Sequence, residues 1–387
     1  MCRACPATPE LPVTAAPMGG SKMATRPRSP YTLFFEEYSP DQQPRLGGKS
    51  ASLGSMIQAG LPVPPGFAVT TDAYDTLRSH PDLRAGVHAH LDDLDHSDTT
   101  ALTEATREVR KLIEEVPLPT EIAAAITRCY ESLCEQCDDD ALPVAVRSSG
   151  TAEDMPDASF AGLQDTYLWI CGADQVLEHV KRCWSSIFTD RAVSYRRQRG
   201  YDHRVIDMGV AVQKMVRPQA AGVAFTLNPA DGDRSQVAID ASWGFGEAVV
   251  SGEVTPDNYL VDKVIYEIVS RKVSDKRLEY RLNGNGIEVA EVDEDRACQP
   301  CLDDEHIRAV ARMARRAEKH YGSPQDIEWA IDADLPEGDD VVLLQSRPET
   351  VWSNQRPTAR SHIGTDPMEA IVNTLCSPLS ARQKQPS

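Results

Sequence analysis

The sequence predicts an α+β protein of two lobes, on three observations. A chain of 387 residues with 41% hydrophobic content has room for two or three domains and a sizeable core. Up to residue 137 the apolar residues recur at helical spacing, and beyond it short apolar runs separated by turn residues dominate, as strands require. No internal repeat is present.

Taken in order, residues 1–30 mix Pro, Ala, Ser and Arg without periodicity and are expected to form a disordered extension. Gly47-Gly48 and Leu61-Pro62-Val63-Pro64-Pro65-Gly66 are the first strong punctuation, and a short helix is expected between them at 50–59. A strand follows at 67–70, and Asp72 is positioned to cap the next helix. Helices are expected at 102–116 and 120–137, the second carrying Ile122, Ala125, Ile126, Cys129 and Leu133 on one face. Asp138-Asp139-Asp140 closes that block. Strands are then expected at 144–148, 165–170, 210–216, 222–227, 236–242, 259–262 and 264–269, with one long basic helix at 174–199 among them. A helix at 303–321 and two strands at 326–331 and 341–346 complete the pattern. The expected division is an extension over 1–30, a first lobe over 31–210, a second over 211–353 and a flexible tail over 354–387.

With 40 Lys+Arg against 59 Asp+Glu the formal net charge is -19, too acidic for a chain whose main work is gripping nucleic acid or an anionic membrane. Apolar runs such as Val341 to Leu344 fall far short of the ~18 residues of a membrane span. No secretory leader is evident, and a soluble, cytoplasmic protein is expected. Three cysteine pairs have CxxC spacing, Cys2/Cys5, Cys134/Cys137 and Cys298/Cys301, but they lie too far apart along the chain for a zinc ribbon, and free thiols are expected.

Four segments carry candidate chemistry. Gly47-Gly48-Lys49-Ser50-Ala51 is a glycine turn entering a helix, where backbone N–H groups, the helix N-terminus and Lys49 can together receive phosphate. Gln43 occupies the first glycine position of a Walker A loop, so the segment is not one, and taken alone it also reads as a solvated turn. Arg147 stands at the end of an apolar strand, where a permanent cation needs an anion. Ser148-Ser149-Gly150 and Ser159-Phe160-Ala161-Gly162-Leu163-Gln164-Asp165-Thr166 then make a small-residue loop able to cover a polyphosphate, or else a hairpin in which Arg147 pairs with Glu153 or Asp154. Asp326 and Glu328 are two apart, as are Gln345 and Arg347. If their strands are neighbours, two carboxylates, an amide oxygen and a guanidinium share one face, a donor set that suits Mg²⁺ with nucleotide phosphates. The bland alternative is a surface pair between Glu328 and Arg347, of little worth. Finally, Val210 to Val216, apolar but for Gln213 and Lys214, can wall an adenine ring or simply be core.

In order along the chain, these segments resemble the N-terminal nucleotide-binding domain of the PEP-utilising dikinases. That family includes phosphoenolpyruvate synthase (pyruvate, water dikinase), pyruvate phosphate dikinase, rifampicin phosphotransferase and the separate ATP subunit of phenylphosphate synthase. Val63-Pro64-Pro65-Gly66-Phe67, Val146-Arg147-Ser148-Ser149, Ser159-Phe160-Ala161-Gly162, Gln213-Lys214-Met215-Val216, Trp243-Gly244-Phe245-Gly246-Glu247, Asp326-Ile327-Glu328-Trp329 and Leu344-Gln345-Ser346-Arg347-Pro348 carry the likeness, over about residues 31–352. The resemblance implies an ATP-grasp-like fold with ATP and Mg²⁺ in a cleft between the lobes. It implies that Lys49 and Arg147 hold phosphates, that Gly162 and Thr166 line the covering loop, and that Gln213 and the Met215 backbone border adenine. Glu328 and Gln345 would bind Mg²⁺ with Asp326 as a further neighbour, and Arg347 would stabilise the phosphoryl group in transfer.

In this family a swivelling domain carries a phosphate-accepting histidine in a Thr/Ser-x-His-Ala-Ala type loop, and none of the nine histidines here has that setting. The expectation is therefore an ATP-binding subunit of a split dikinase, phosphorylating a histidine on a separate partner and yielding AMP and phosphate. The basic helix is a candidate dock for that partner, or only a solvated face. The rival readings are a non-catalytic nucleotide-binding regulatory module and a carboxylate-amine ligase. ATP binding without turnover would favour the first, and an acyl-phosphate intermediate the second.

Overall fold

The computed structural model describes residues 28–92, 94, 98–151, 154–155, 158–159, 165–200, 206–284 and 286–352. The chain opens with β1 (Thr32–Phe34), the helix α1 (Gln43–Gln58) and β2 (Gly66–Val69), then runs through α2 (Thr71–Arg78), α3 (Pro81–Leu91), α4 (Thr99–Glu115) and α5 (Thr120–Cys137). Strand β3 (Val144–Gly150), the short pair β4 (Asp154–Met155) and β5 (Ala158–Ser159), and β6 (Thr166–Ile170) lead to α6 (Ala173–Ser185) and α7 (Asp190–Gln198). After β7 (Met208–Lys214), β8 (Pro218–Phe225) and β9 (Gln236–Trp243) come α8 (Glu247–Val250), β10 (Asp257–Asp262), β11 (Ile268–Lys272), β12 (Leu278–Asn283) and β13 (Gly286–Glu291). The last elements are α9 (Glu294–Ala297), α10 (Asp304–Tyr321), β14 (Gln325–Asp332) and β15 (Val341–Pro348). By its contacts the chain divides into Met1–Glu349 and Thr350–Ser387, and all these elements belong to the first unit. The fold is thus α+β.

Two sheets organise it. The first has the order β1-β2-β7-β3-β6 and the second β11-β10-β9-β8-β14-β15, and the pairings in both are antiparallel. Side chains alternate across a strand, so Phe67, Val69, Val144, Val146, Val210 and Val212 point to one face of the first sheet, into a core shared with α2 to α6. Their neighbours Ala68 and Ala211 point to the other face, into a core with Leu46, Leu53 and Met56 of α1. Ile239, Tyr259, Ile327, Trp329 and Leu343 of the second sheet and Ile307, Val310 and Ala314 of α10 complete that same core. Helix α1 therefore lies where the two sheets meet, and what it carries is held from both sides.

Helix ends follow their chemistry. Asp98 accepts from the Thr100 and Ala101 amides at the start of α4, Asp303 from His306 at the start of α10, and Gly322 ends α10 at φ 68°. Asp138 closes α5 in the left-handed region, at φ 54°.

Several expectations need correction. The long basic helix is two helices, because Thr189 ends the first run in extended backbone and its side chain accepts from the Ala192 amide to cap α7. Its basic residues are not all on a solvated face: Arg191, Arg197 and Arg199 are exposed, whereas Arg196 is 2% exposed and packs on the Phe188 ring at 5.5 Å, and Lys181 donates to the Glu114 and Val116 carbonyls. Thr70, not Asp72, is the N-cap of α2, and Asp72 bonds the Arg45 guanidinium at 2.6 Å. The strand expected at 264–269 starts only at Ile268, because Asp262 accepts from the Val264 and Ile265 amides in a turn. Helix α3 and the β12–β13 hairpin were not anticipated. The expected lobe boundary at 210/211 falls inside β7. Nearly all of the expected extension and tail lies outside the described residues.

Among the described residues no helix is long and apolar enough to cross a membrane. There too Cys134, Cys137, Cys298 and Cys301 are free thiols.

Candidate functional site

The site begins at a break in α1. Gly47 has φ 74°, and a β-carbon there would meet the Ser149 carbonyl oxygen at 1.9 Å, so only glycine fits. The close approach lets β3 finish what the helix cannot: Ser149 Oγ donates to the Leu46 carbonyl at 3.0 Å and accepts from the Ser50 amide at 3.1 Å, capping the resumed helix from another strand. Lys49, on the first turn after the break, reaches the Ser148 carbonyl with Nζ at 3.0 Å. Ser148 in turn donates its amide and hydroxyl to the Asp165 carbonyl, at 3.2 and 3.1 Å. That fixes the strand leaving the small-residue loop.

One residue earlier on β3, Arg147 faces α1 and the second sheet. It lies opposite Ala211 of β7 and opposite Thr166 of β6, an exposed residue. Its side chain is only 12% exposed and crosses between the sheets: Nη2 lies 2.5 Å from Gln345 Oε1 and 3.5 Å from Glu328 Oε2, and Nη1 lies 3.4 Å from the Leu344 carbonyl. Glu153 and the side chain of Asp154, the alternative hairpin partners, lie outside the described residues. Nε is buried and has no hydrogen-bond acceptor.

Strands β14 and β15 are neighbours, with Glu328 opposite Gln345 and Asp326 opposite Arg347. Plain alternation would not have produced this. Val341 and Leu343 face the core, so in a regular strand Gln345 and Arg347 would face it too. The register shifts because Glu328 pairs with Gln345 and the next residue, Trp329, pairs with Leu343, leaving Leu344 as an extra residue. This bulge reverses the alternation and turns Gln345 and Arg347 to the face of Asp326 and Glu328. On that face Asp326 Oδ1 is buried without a hydrogen-bond partner. Burial, and after it the Glu349 carboxylate, push the Asp326 carboxyl up to about 6, against an opposing pull from Arg347.

These oxygens fit Mg²⁺. It prefers hard oxygen donors and binds through one or two carboxylates, completing its shell with water and substrate phosphates. Among the described residues no group of three or more His, Cys, Asp or Glu is arranged to hold a metal. Glu328 with the Gln345 amide oxygen could supply two such oxygens and leave positions for water and phosphate.

Gln213 shares the Arg147 face of the first sheet, since it lies opposite Ala145, two residues before Arg147 on β3, about 7 Å along the strand. It is 3% exposed and donates to the Pro64 carbonyl at 3.3 Å. The Met215 amide donates to the Pro143 carbonyl at 2.9 Å, so any contact with a base would fall to its other atoms. Gly162 lies outside the described residues.

One polar pair escaped the sequence reading. Val223 of β8 lies opposite both Glu328 and Asp240 of β9, which puts Asp240 on the Glu328 face, where it accepts from Asn258 Nδ2 at 2.7 Å. A single acid within the apolar alternation of Val237, Ile239 and Ala241 was the available signal. The Trp243-Gly244-Phe245 segment has a structural explanation: Gly244 has φ 69°, its β-carbon would meet the Tyr280 carbonyl at 2.2 Å, and the Phe245 amide donates to that carbonyl at 2.9 Å. Phe245 also meets Trp169 of β6 edge to face at 6.4 Å, a second contact between the sheets.

The family model described as "Pyruvate phosphate dikinase, AMP/ATP-binding domain" matches residues 43–365. A probable phosphoenolpyruvate synthase of Staphylothermus marinus is 43% identical over 346 residues, covering 84% of this chain and 42% of its own. One from Methanocaldococcus jannaschii is 44% identical, covering 83% and 27%, and the phosphoenolpyruvate synthase of Pyrococcus furiosus is 39% identical, covering 89% and 46%. The chain thus spans less than half the length of each of these relatives. Among solved structures, the crystal structure of PH1788 from Pyrococcus horikoshii Ot3 covers 69% of this chain and 98% of its own at a TM-score of 0.30 and 13% identity, too distant to inform the fold. The chain belongs to the pyruvate phosphate dikinase AMP/ATP-binding domain family.

Proposed function

We propose that the protein binds Mg²⁺·ATP between two ATP-grasp-like lobes and passes a phosphoryl group to a histidine on a separate swivelling-domain partner, with one water consumed in cleaving the second phosphoanhydride, so that AMP and phosphate are the other products. The lobes are the two sheets with their helices, and the setting is cytoplasmic. The observation that carries this reading is the convergence of Arg147, from the first sheet, on Glu328 and Gln345 of the second. Cationic and oxygen-donor groups thereby meet at one point, as binding a metal-chelated polyphosphate requires.

In this reading Lys49 and Arg147 neutralise phosphate oxygens, Gly162 and Thr166 line the loop above them, and Gln213 and Met215 border the adenine. Glu328 and Gln345, with Asp326 beside them, hold Mg²⁺, which supplies charge neutralisation at the phosphates. Arg347 stabilises the phosphoryl group in transfer, where positioning and charge neutralisation do most of the work. The acceptor histidine comes from elsewhere. Among the described residues His80 lies by Asp82, His88 bonds Asp92, His179 the Gln175 carbonyl, His306 Asp303 and Asp340, and His320 Ser55, contacts that do not involve Arg147, Glu328 or Gln345.

The test is incubation with radiolabelled ATP and a histidine-bearing swivelling-domain protein of this family. AMP and an acid-labile, base-stable phosphoprotein are expected. ATP binding with neither product, whichever such partner is supplied, would contradict transfer and favour the regulatory module.

A further inference from the structure

Arg147 sits where the metal belongs. Its Nη2 engages Gln345 Oε1 at 2.5 Å and lies 3.5 Å from Glu328 Oε2, the two oxygens assigned above to Mg²⁺. A Mg²⁺ at its usual ~2.1 Å from that Gln345 oxygen would lie within about 5 Å of the guanidinium nitrogen, and the Gln345 oxygen would serve two cations at once. We propose that Arg147 keeps the divalent-cation site closed in the nucleotide-free protein, and that the phosphates of an incoming nucleotide open it by drawing the guanidinium onto themselves. Nucleotide then binds first, or together with its metal, and free metal does not bind ahead of it. This rests on the assignment of Glu328 and Gln345 as metal ligands.

Three observations support the exchange. The Arg147 Nε–H is buried with no acceptor, so the resting position leaves a donor unmet that an anion can satisfy. The β3 backbone of Arg147 is laddered on both sides, to β6 and to β7, so only the side chain need swing. Lys49 holds the neighbouring Ser148 carbonyl at 3.0 Å, which puts a second cation beside the position the phosphates would take. Because binding equilibria are linked, nucleotide and metal must favour each other by the same factor.

The experiment uses the whole protein and Mn²⁺ as the probe, followed by the loss of the free-ion paramagnetic resonance signal, with a fluorescent ATP analogue as a second probe. Wild type is expected to bind the analogue in EDTA yet take up Mn²⁺ alone only weakly, whereas Arg147→Met takes up Mn²⁺ alone at least about tenfold more tightly. Adding Glu328→Gln to Arg147→Met should abolish that gain. Wild type binding Mn²⁺ alone as tightly as Arg147→Met would overturn the proposal, as would Arg147→Met failing to bind it. Should the variant not fold, wild type alone decides, since Mn²⁺ uptake without nucleotide together with no analogue binding in EDTA also overturns it. The ligand assignment fails separately, if Glu328→Gln leaves the metal dependence of analogue binding unchanged in the otherwise native chain.

Discussion

Lys276 and Asp257 are both without exposed surface and lie 2.6 Å apart. Such a pair is tolerated only when every remaining valence is met. The ammonium also donates to the Ser274 and Gln299 carbonyls at 3.0 and 2.9 Å, while Asp257 accepts from the Ser274 and Cys301 amides and the Tyr259 hydroxyl. Lys276→Met is expected to cost about 3–5 kcal/mol in urea unfolding, and Lys276→Met with Asp257→Leu markedly less. Asp326 is the opposite case, a half-buried residue whose buried Oδ1 has no hydrogen-bond partner. Its pKa is raised from 3.8 to about 6, so the folded state binds a proton that the unfolded state releases. The stability this contributes is complete below about pH 4 and is lost as pH rises through 6. Asp326→Asn should therefore melt higher than wild type at pH 7–8, by about 2 °C, with the gap closing by pH 4. A gap that stayed constant with pH would contradict the assignment.

The element that decides the site is β15. The paired spacing of Asp326/Glu328 and Gln345/Arg347 was legible in the sequence, and so were the glycine turn before Lys49 and the arginine at the end of β3. Hidden was the bulge at Leu344, because an extra residue in a strand leaves the composition of an apolar run unchanged. It nevertheless determines whether Gln345 and Arg347 meet Glu328 or the core. Deleting Leu344 is predicted to remove the bulge while leaving Leu343 opposite Trp329 and Gln345 opposite Glu328, so the rise in melting temperature that Mg²⁺·ATP is expected to give wild type should persist in the deletion protein. A deletion protein that Mg²⁺·ATP no longer stabilised, beside a wild type that it does, would refute this account of the bulge. The hydrophobic pattern located most strands and the helices α4, α5 and α10. It missed α3, whose buried hydrophobics are only Leu83 and Leu91, and the β12–β13 hairpin, whose side chains are mostly exposed or half-buried, because neither presents a sustained apolar face. It fused α6 with α7 because one threonine capping the second helix looks like any polar residue within a helix.

Across the whole molecule a net charge of -19 surrounds a site that gathers Lys49, Arg147 and Arg347. Exposed charges beyond about 8 Å are screened at physiological salt, so the distant carboxylates exclude a polyanionic surface partner without excluding a nucleotide. Two sheets share one core through α1, and the break in that helix is pinned to β3. The groups of the first sheet are thereby set against those of the second before any ligand arrives. Calorimetric titration of an ATP analogue, with Mg²⁺ and again in EDTA, into wild type and the Glu328→Ala/Gln345→Ala double variant tests this most directly. The account predicts one nucleotide per chain and a loss of at least about tenfold in affinity, ~1.4 kcal/mol, that appears in the variant only when Mg²⁺ is present. No binding by wild type, or an equal loss with and without Mg²⁺, would contradict it.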